Sequence, residues 1–115
     1  RAEVFELLEA WPVSAAVSAV FVLFPDPWPK RKHRKNRLFS LRLLALLHER
    51  SEPQARIYFR TDCEDYFQDA SRAVSGRSGW LAAEAEPWPF ECATIFQMKA
   101  KQFASLVAIK QPEGR

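Results

Sequence analysis

The stretch "VSAVFVLFPDPWPKRKHRKNR", Val17 to Arg37, changes character twice in 21 residues. Its first eight residues, through Phe24, are β-rich and almost continuously apolar, and they stop at a proline. That pattern predicts a strand buried on both faces of a parallel sheet, because a half-exposed strand alternates apolar with polar positions. Pro25, Pro27 and Pro29 then bracket Asp26 and Trp28, setting one carboxylate just past the strand's carboxyl end. Each proline fixes φ and removes a backbone donor, so the loop is stiff before anything docks on it. Lys30, Arg31, Lys32, Arg34, Lys35 and Arg37 follow at once, six positive charges in eight positions.

That basicity is local. The 115-residue chain carries a formal +3, so less those six cations the remainder is net −3. A solvated helix face mixes signs, whereas this block has no acid and follows aromatic and proline residues, as a phosphate-contacting arm would. Nucleic acid is the expected partner, with a solvated loop and an anionic membrane surface as the alternatives.

Working outward, the leucines and Phe39 between Leu38 and Leu47 recur at three- and four-residue spacings before Pro53, which predicts a helix of about a dozen residues crossing back over the sheet. Arg56 to Arg60, "RIYFR", reads as a second strand. Thr61-Asp62-Cys63-Glu64 then matches the S/T-x-x-E capping box that opens a helix, here running to Gly76. Strand, helix, strand, helix in order predicts an α/β fold with a mostly parallel sheet, whose ligand crevice lies outside the carboxyl ends of the strands. Asp26 and Asp62 both fall there. Past Gly79 the helical period fades and Pro87, Trp88 and Pro89 break the chain. "ATIFQMKA" and "FASLVAIK" predict one or two closing strands, with an antiparallel pair at the sheet edge.

Composition narrows the classes. At 13.3 kDa and 48% hydrophobic residues the chain is one domain or a piece of one. The opening "EVFELLEAW" reads as the middle of an amphipathic pattern, so a C-terminal portion of a longer protein is expected. The apolar run from Ala15 to Phe24 is about half of the roughly 20 residues that cross a bilayer, and no signal-peptide pattern precedes it. No membrane association and a cytoplasmic location are therefore expected. Cys63, Cys92, His33 and His48 show no ligand spacing, which argues for reduced thiols and no metal. The three glycines form no GxG loop, so a nucleotide-like cofactor would be gripped mainly from elsewhere.

"FPDPWPKRKHRKNR" with the leucine helix, "YFRTDCEDYF" and the late "TIFQ" together resemble the C-terminal half of the bacterial tRNA (guanine-N7-)-methyltransferase family. The resemblance implies the C-terminal part of a Rossmann-like sheet that uses S-adenosylmethionine to methylate N7 of a guanine in the tRNA variable loop. Residues 1–115 would be the substrate-binding half, monomeric or homodimeric and inactive alone, with the cofactor held mostly by preceding sequence. Asp26 matches the family's catalytic acid and its one cofactor contact within this stretch. Lys30 matches a substrate-contacting lysine, and Lys32, His33, Arg34, Lys35, Asn36 and Arg37 match the RNA-contacting segment. Asp62 matches a substrate-binding aspartate. Thr94, Ile95, Phe96 and Gln97 match the substrate segment, with Gln97 where glutamate is usual.

Chemistry refines the role of Asp26. Guanine N7 bears an in-plane lone pair and no proton, so its attack on a sulfonium methyl needs no general base. The Watson–Crick edge offers adjacent N–H donors to a carboxylate, and N7 methylation leaves the base cationic. Orientation plus electrostatics is the expected role. Trp28 either stacks on the extracted base or covers the sheet end. Each assignment has a plainer rival: Asp26 as a turn former, Asp62 as a first-turn acid favoured by the helix dipole, and Thr94 as a strand residue. A non-catalytic RNA-binding module and another nucleobase methyltransferase remain the alternative functions.

Overall fold

The computed structural model describes residues 2–12, 16–76, 79–83, 88 and 103–112. In chain order they form α1 (Ala2–Glu9), β1 (Val17–Leu23), a short 3-10 helix (Arg31–Asn36), α2 (Leu41–Arg50), β2 (Ser51–Thr61), α3 (Glu64–Ser75), β3 (Trp80–Ala82) and β4 (Ala104–Lys110). The strands make one mixed sheet of order β1-β2-β4-β3. β1 and β2 are parallel, in register from Ala19 opposite Arg56 to Leu23 opposite Arg60. β4 runs antiparallel to β2 and to β3, so the expected antiparallel pair closes the edge, and among the described strands β1–β2 is the one parallel pairing of three where the sequence predicts a mostly parallel sheet.

The helices gather on one face of this sheet. Val22, Ile57, Phe59, Leu106 and Ala108 point into a core shared with Leu8 of α1, Leu43, Leu44 and Leu47 of α2, and Tyr66, Ala70 and Val74 of α3. Period-3.6 apolar spacing in α2 and α3 puts these side chains on one stripe each, which is what lets both helices lie on a single sheet face. The opposite face carries an aromatic layer in which Phe21 stacks on Tyr58 at 4.7 Å and Trp88 leans on Tyr58 at 5.1 Å.

Several sequence expectations change in detail. β1 is not buried on both faces: only Val22 is buried, and Ser18 and Ala19 are exposed. It is an edge strand among the described residues, bordered by an apolar groove of about 520 Å³ that Leu7, Trp11, Val20 and Leu43 help to line. β2 takes the doubly buried role, with Ile57 to Thr61 buried consecutively, because the helices cover Ile57 and Phe59 on one face while Phe21, Trp88 and Phe103 cover Tyr58 and Arg60 on the other. It is also longer than "RIYFR", reaching back through Pro53 to Ser51.

Both helix starts differ too. α2 begins at Leu41 because the Ser40 side chain caps it, accepting a hydrogen bond from Leu43 N at 3.3 Å. No capping box forms at Thr61. Thr61 ends β2, and its Oγ1 accepts from Cys63 N at 3.1 Å while Cys63 itself takes the N-cap position without a side-chain bond. Asp62 therefore precedes α3 instead of lying in its first turn. Gly76 caps the other end as expected. "FASLVAIK" becomes β4, Trp80–Ala82 adds a strand that periodicity did not reveal, and "ATIFQMKA" lies outside the described residues. Cys63 is a half-buried free thiol, and Cys92 lies outside the described residues.

Candidate functional site

Parallel pairing of β1 with β2 brings the two predicted acids to one end of the sheet. Leu23 lies opposite Arg60, the ladder is extended by Phe24 N donating to Arg60 O at 2.8 Å, and Asp26 and Asp62 follow within a few residues. Both are exposed. A small cavity of about 180 Å³ beside Asp62 is lined by Thr61, Glu64, Phe103 and Ala104.

The Pro-Asp-Pro-Trp-Pro loop is held in an unusual path. Phe24 and Trp28 have φ of 49° and 43°, the left-handed region, and each precedes a proline. Non-glycine residues are scarce there, and residues before proline are normally extended, so each holds strain of about 1–3 kcal/mol. Asp26 Oδ1 accepts from Trp28 N at 3.1 Å, so the carboxylate does form the local turn that its residue type allows. One oxygen serves that turn while the side chain as a whole stays exposed, so forming the turn does not bury the carboxylate.

The basic segment is not uniform. It winds into a 3-10 helix in which Lys30 is the N-cap and His33 N donates to Lys30 O at 2.9 Å. Lys30, Arg31, Lys32 and Lys35 are exposed, whereas His33, Arg34 and Asn36 are half-buried. His33 meets the half-buried Trp28 edge-to-face with ring centroids 5.6 Å apart, tying the two segments together. Arg34 pairs with Asp65 at 3.1 Å.

Arg37 departs from the expectation that it contacts RNA. It is 3% exposed, its Nε donates to Pro27 O at 2.6 Å, and its two terminal nitrogens meet Asp69 at 2.5 Å and Asp65 at 2.9 Å. Its guanidinium also lies 4.8 Å from the centre of the Tyr66 ring. A planar five-donor fork suits this bridging position, and burial removes it from any phosphate. Hydrogen bonding to Arg37 holds the Asp65 carboxyl below its ordinary value, against the desolvation that would raise it. Asp65, Asp69 and Tyr66 were not anticipated. Acids at i and i+4 on a helix face were the available signal, but spacing alone does not say which cation they meet.

Thr94, Ile95, Phe96 and Gln97 lie outside the described residues. Among the described residues there is no cluster of three or more His, Cys, Asp or Glu able to hold a metal ion, and no helix long and apolar enough to cross a membrane. For a cationic sulfonium cofactor the described residues offer Asp26, an exposed carboxylate at the end of β1. It fits that charge, but no glycine-rich turn follows β1 to receive the rest of such a molecule.

Comparison with known proteins adds an independent line. A family model described as "Putative methyltransferase" matches residues 1–105. A tRNA (guanine-N(7)-)-methyltransferase of Hyphomonas neptunium is 46% identical over 70 residues, 59% of this chain and 32% of that protein. A protein of the same name from a Jannaschia species is 35% identical over 101 residues, 83% of this chain and 42% of that protein. Another, from Rubrobacter xylanophilus, is 38% identical over 74 residues, 64% of this chain and 33% of that protein. These matches span about a third to two fifths of the relatives' own length.

Proposed function

The chain belongs to the methyltransferase family whose model it matches along residues 1–105, and from that premise we propose that the protein of which it is part is a tRNA (guanine-N7-)-methyltransferase using S-adenosylmethionine. The observation that carries this reading is the juxtaposition, at the carboxyl end of two parallel strands, of an exposed carboxylate in a strained proline loop with four exposed cations. Neither half alone is specific. Together they fit a polyanion delivering one base to a fixed negative charge.

When bound, S-adenosylmethionine supplies an electrophilic methyl group. Lys30, Arg31, Lys32 and Lys35 hold tRNA phosphates and set its register without reading sequence, as backbone contacts do. Asp26 accepts hydrogen bonds from the guanine Watson–Crick edge and so turns N7 toward the methyl donor. No proton leaves N7, so Asp26 works as an orienting and charge-stabilising anion. Because the base becomes cationic on methylation, the fixed carboxylate favours the transition state over the neutral ground state. Asp62, on the neighbouring strand end, contributes a further acceptor to the substrate, and Trp28 shapes the loop against His33. Thr94 to Gln97 complete the substrate segment in this reading.

The test is methyl transfer from labelled S-adenosylmethionine to unmodified tRNA by the full-length protein and its Asp26→Ala and Asp26→Asn variants. Label is expected in N7-methylguanine, reduced about 100-fold or more by both substitutions, the scale of one lost preorganised electrostatic group. Wild-type protein that binds tRNA but transfers no label would sink the reading and leave an RNA-binding module.

A further inference from the structure

The basic stretch contains one residue that cannot serve as a surface cation, and its contacts point back at the loop that carries Asp26. Arg37 reaches three acceptors from two segments: the Pro27 carbonyl at 2.6 Å, and the Asp65 and Asp69 carboxylates of α3 at 2.9 and 2.5 Å. We propose that Arg37 is a positioning residue for methyl transfer, tying the Pro-Asp-Pro loop to α3 so that Asp26 is presented in one orientation. The proposal rests on the reading of Asp26 given above.

The loop explains why such a tie is needed. Pro25, Pro27 and Pro29 have no backbone N–H, and Trp28 N is taken by Asp26 itself. That leaves Asp26 N as the one remaining amide donor from Pro25 to Pro29, so carbonyls are the main handles by which the rest of the fold can grip this backbone, and Arg37 takes the one next to Asp26. Phe24 and Trp28, on either side of that point, sit at positive φ. Such conformations persist only where surrounding contacts over-determine them, and the Arg37 bond falls between the two.

Stability is a poor explanation for the arrangement. Burying a guanidinium between carboxylates is often no better for folding than a well-packed apolar residue of the same volume. What the charged fork adds is direction: bonds at fixed angles to a loop carbonyl and to one helix. The partners are in turn held, since Arg34 pairs with Asp65 and Arg72 with Asp69. Lysine in this place would keep the charge but lose the fork.

The experiment compares full-length wild type with Arg37→Lys, Arg37→Met and Asp69→Asn, reading kcat, KM for tRNA and the salt dependence of tRNA binding. If Arg37 positions Asp26, Arg37→Lys lowers kcat about ten- to hundred-fold, the scale of an ångström-level misplacement, while KM and the salt slope stay at wild-type values. Asp69→Asn, which leaves every cation of the stretch in place, lowers kcat in the same direction. Adding Arg37→Lys to Asp26→Asn then changes kcat little, because residues acting through one another are not additive. The proposal is overturned if Arg37→Lys retains wild-type kcat. It is equally overturned if Arg37→Met keeps kcat but loses roughly 0.7 to 0.9 of salt slope, which would make Arg37 one phosphate contact. Should Arg37→Met not fold, Arg37→Lys and Asp69→Asn decide the matter. An inactive wild type would refute the methyltransferase reading itself, a distinct result from active variants.

Discussion

Tyr66 shows how much one residue can do that its type does not announce. Its side chain is fully buried, its ring packs on Phe59 at 5.2 Å, and its hydroxyl oxygen accepts from Phe39 N at 2.8 Å. It thereby fixes the chain between the basic helix and α2 from the same α3 face that holds Arg37. Tyr66→Phe leaves that buried N–H unpaired and is expected to lower stability by about 1–3 kcal/mol, read from denaturant unfolding. Burial pushes the Tyr66 phenol up to about 12. A folded pKa above the unfolded one means the folded state holds the proton more tightly, so this contribution is intact below pH 10 and lost as pH rises toward about 12. Alkaline unfolding of wild type should lose that part of its stability across this window, and Tyr66→Phe should lack the corresponding titration. Asp65 has the opposite sign: its lowered pKa gives stability present above its ordinary value of 3.8 and lost on acidification below it. In the sequence Arg37 looked like its five basic neighbours, because what distinguishes it is which acids stand nearby, and those are 28 and 32 residues away.

At the scale of elements, ends were harder to read than middles. The leucine spacing located α2, but its start shifted to Leu41 because Ser40 supplies the capping oxygen. Ser40→Ala should destabilise the protein by about 1 kcal/mol, the usual effect of removing a cap, measured as a fall in Tm. The Thr61 capping box matched in sequence yet did not form, since β2 keeps Thr61 in its ladder opposite Ala104. Sheet pairing outbid a local motif. The turn into β3 depends on Gly79, whose φ is 81° and where an added Cβ would stand 2.6 Å from the His48 ring. Gly79→Ala should therefore lower Tm more than Ser40→Ala does, because it combines left-handed backbone strain with a clash against a ring whose Nε2 is 2.9 Å from Gln111 O.

Across the whole molecule, charge and topology set what the site can bind. Six cations all meeting phosphates would give a slope of log affinity against log salt of roughly −4 to −5; the four exposed ones, Lys30, Arg31, Lys32 and Lys35, predict about −3 to −4. Titrating tRNA binding by the full-length protein between low and physiological salt checks this, and a slope near −5 would return Arg34 and Arg37 to the RNA surface. By itself the sequence determined the α/β class, the strand that ends before Pro25, the strand-helix-strand-helix order from β1 to α3, and the placing of Asp26 and Asp62 beyond strand ends, because these rest on local periodicity and on proline stereochemistry. Only the tertiary structure decided that, among the described strands, β2 is flanked on both sides while β1 lies at an edge, that Thr61 stays in the sheet, and that Arg37 turns inward. Each of those outcomes depends on which distant segment lies alongside, and packing energy between segments remote in sequence leaves no signature in either one read alone.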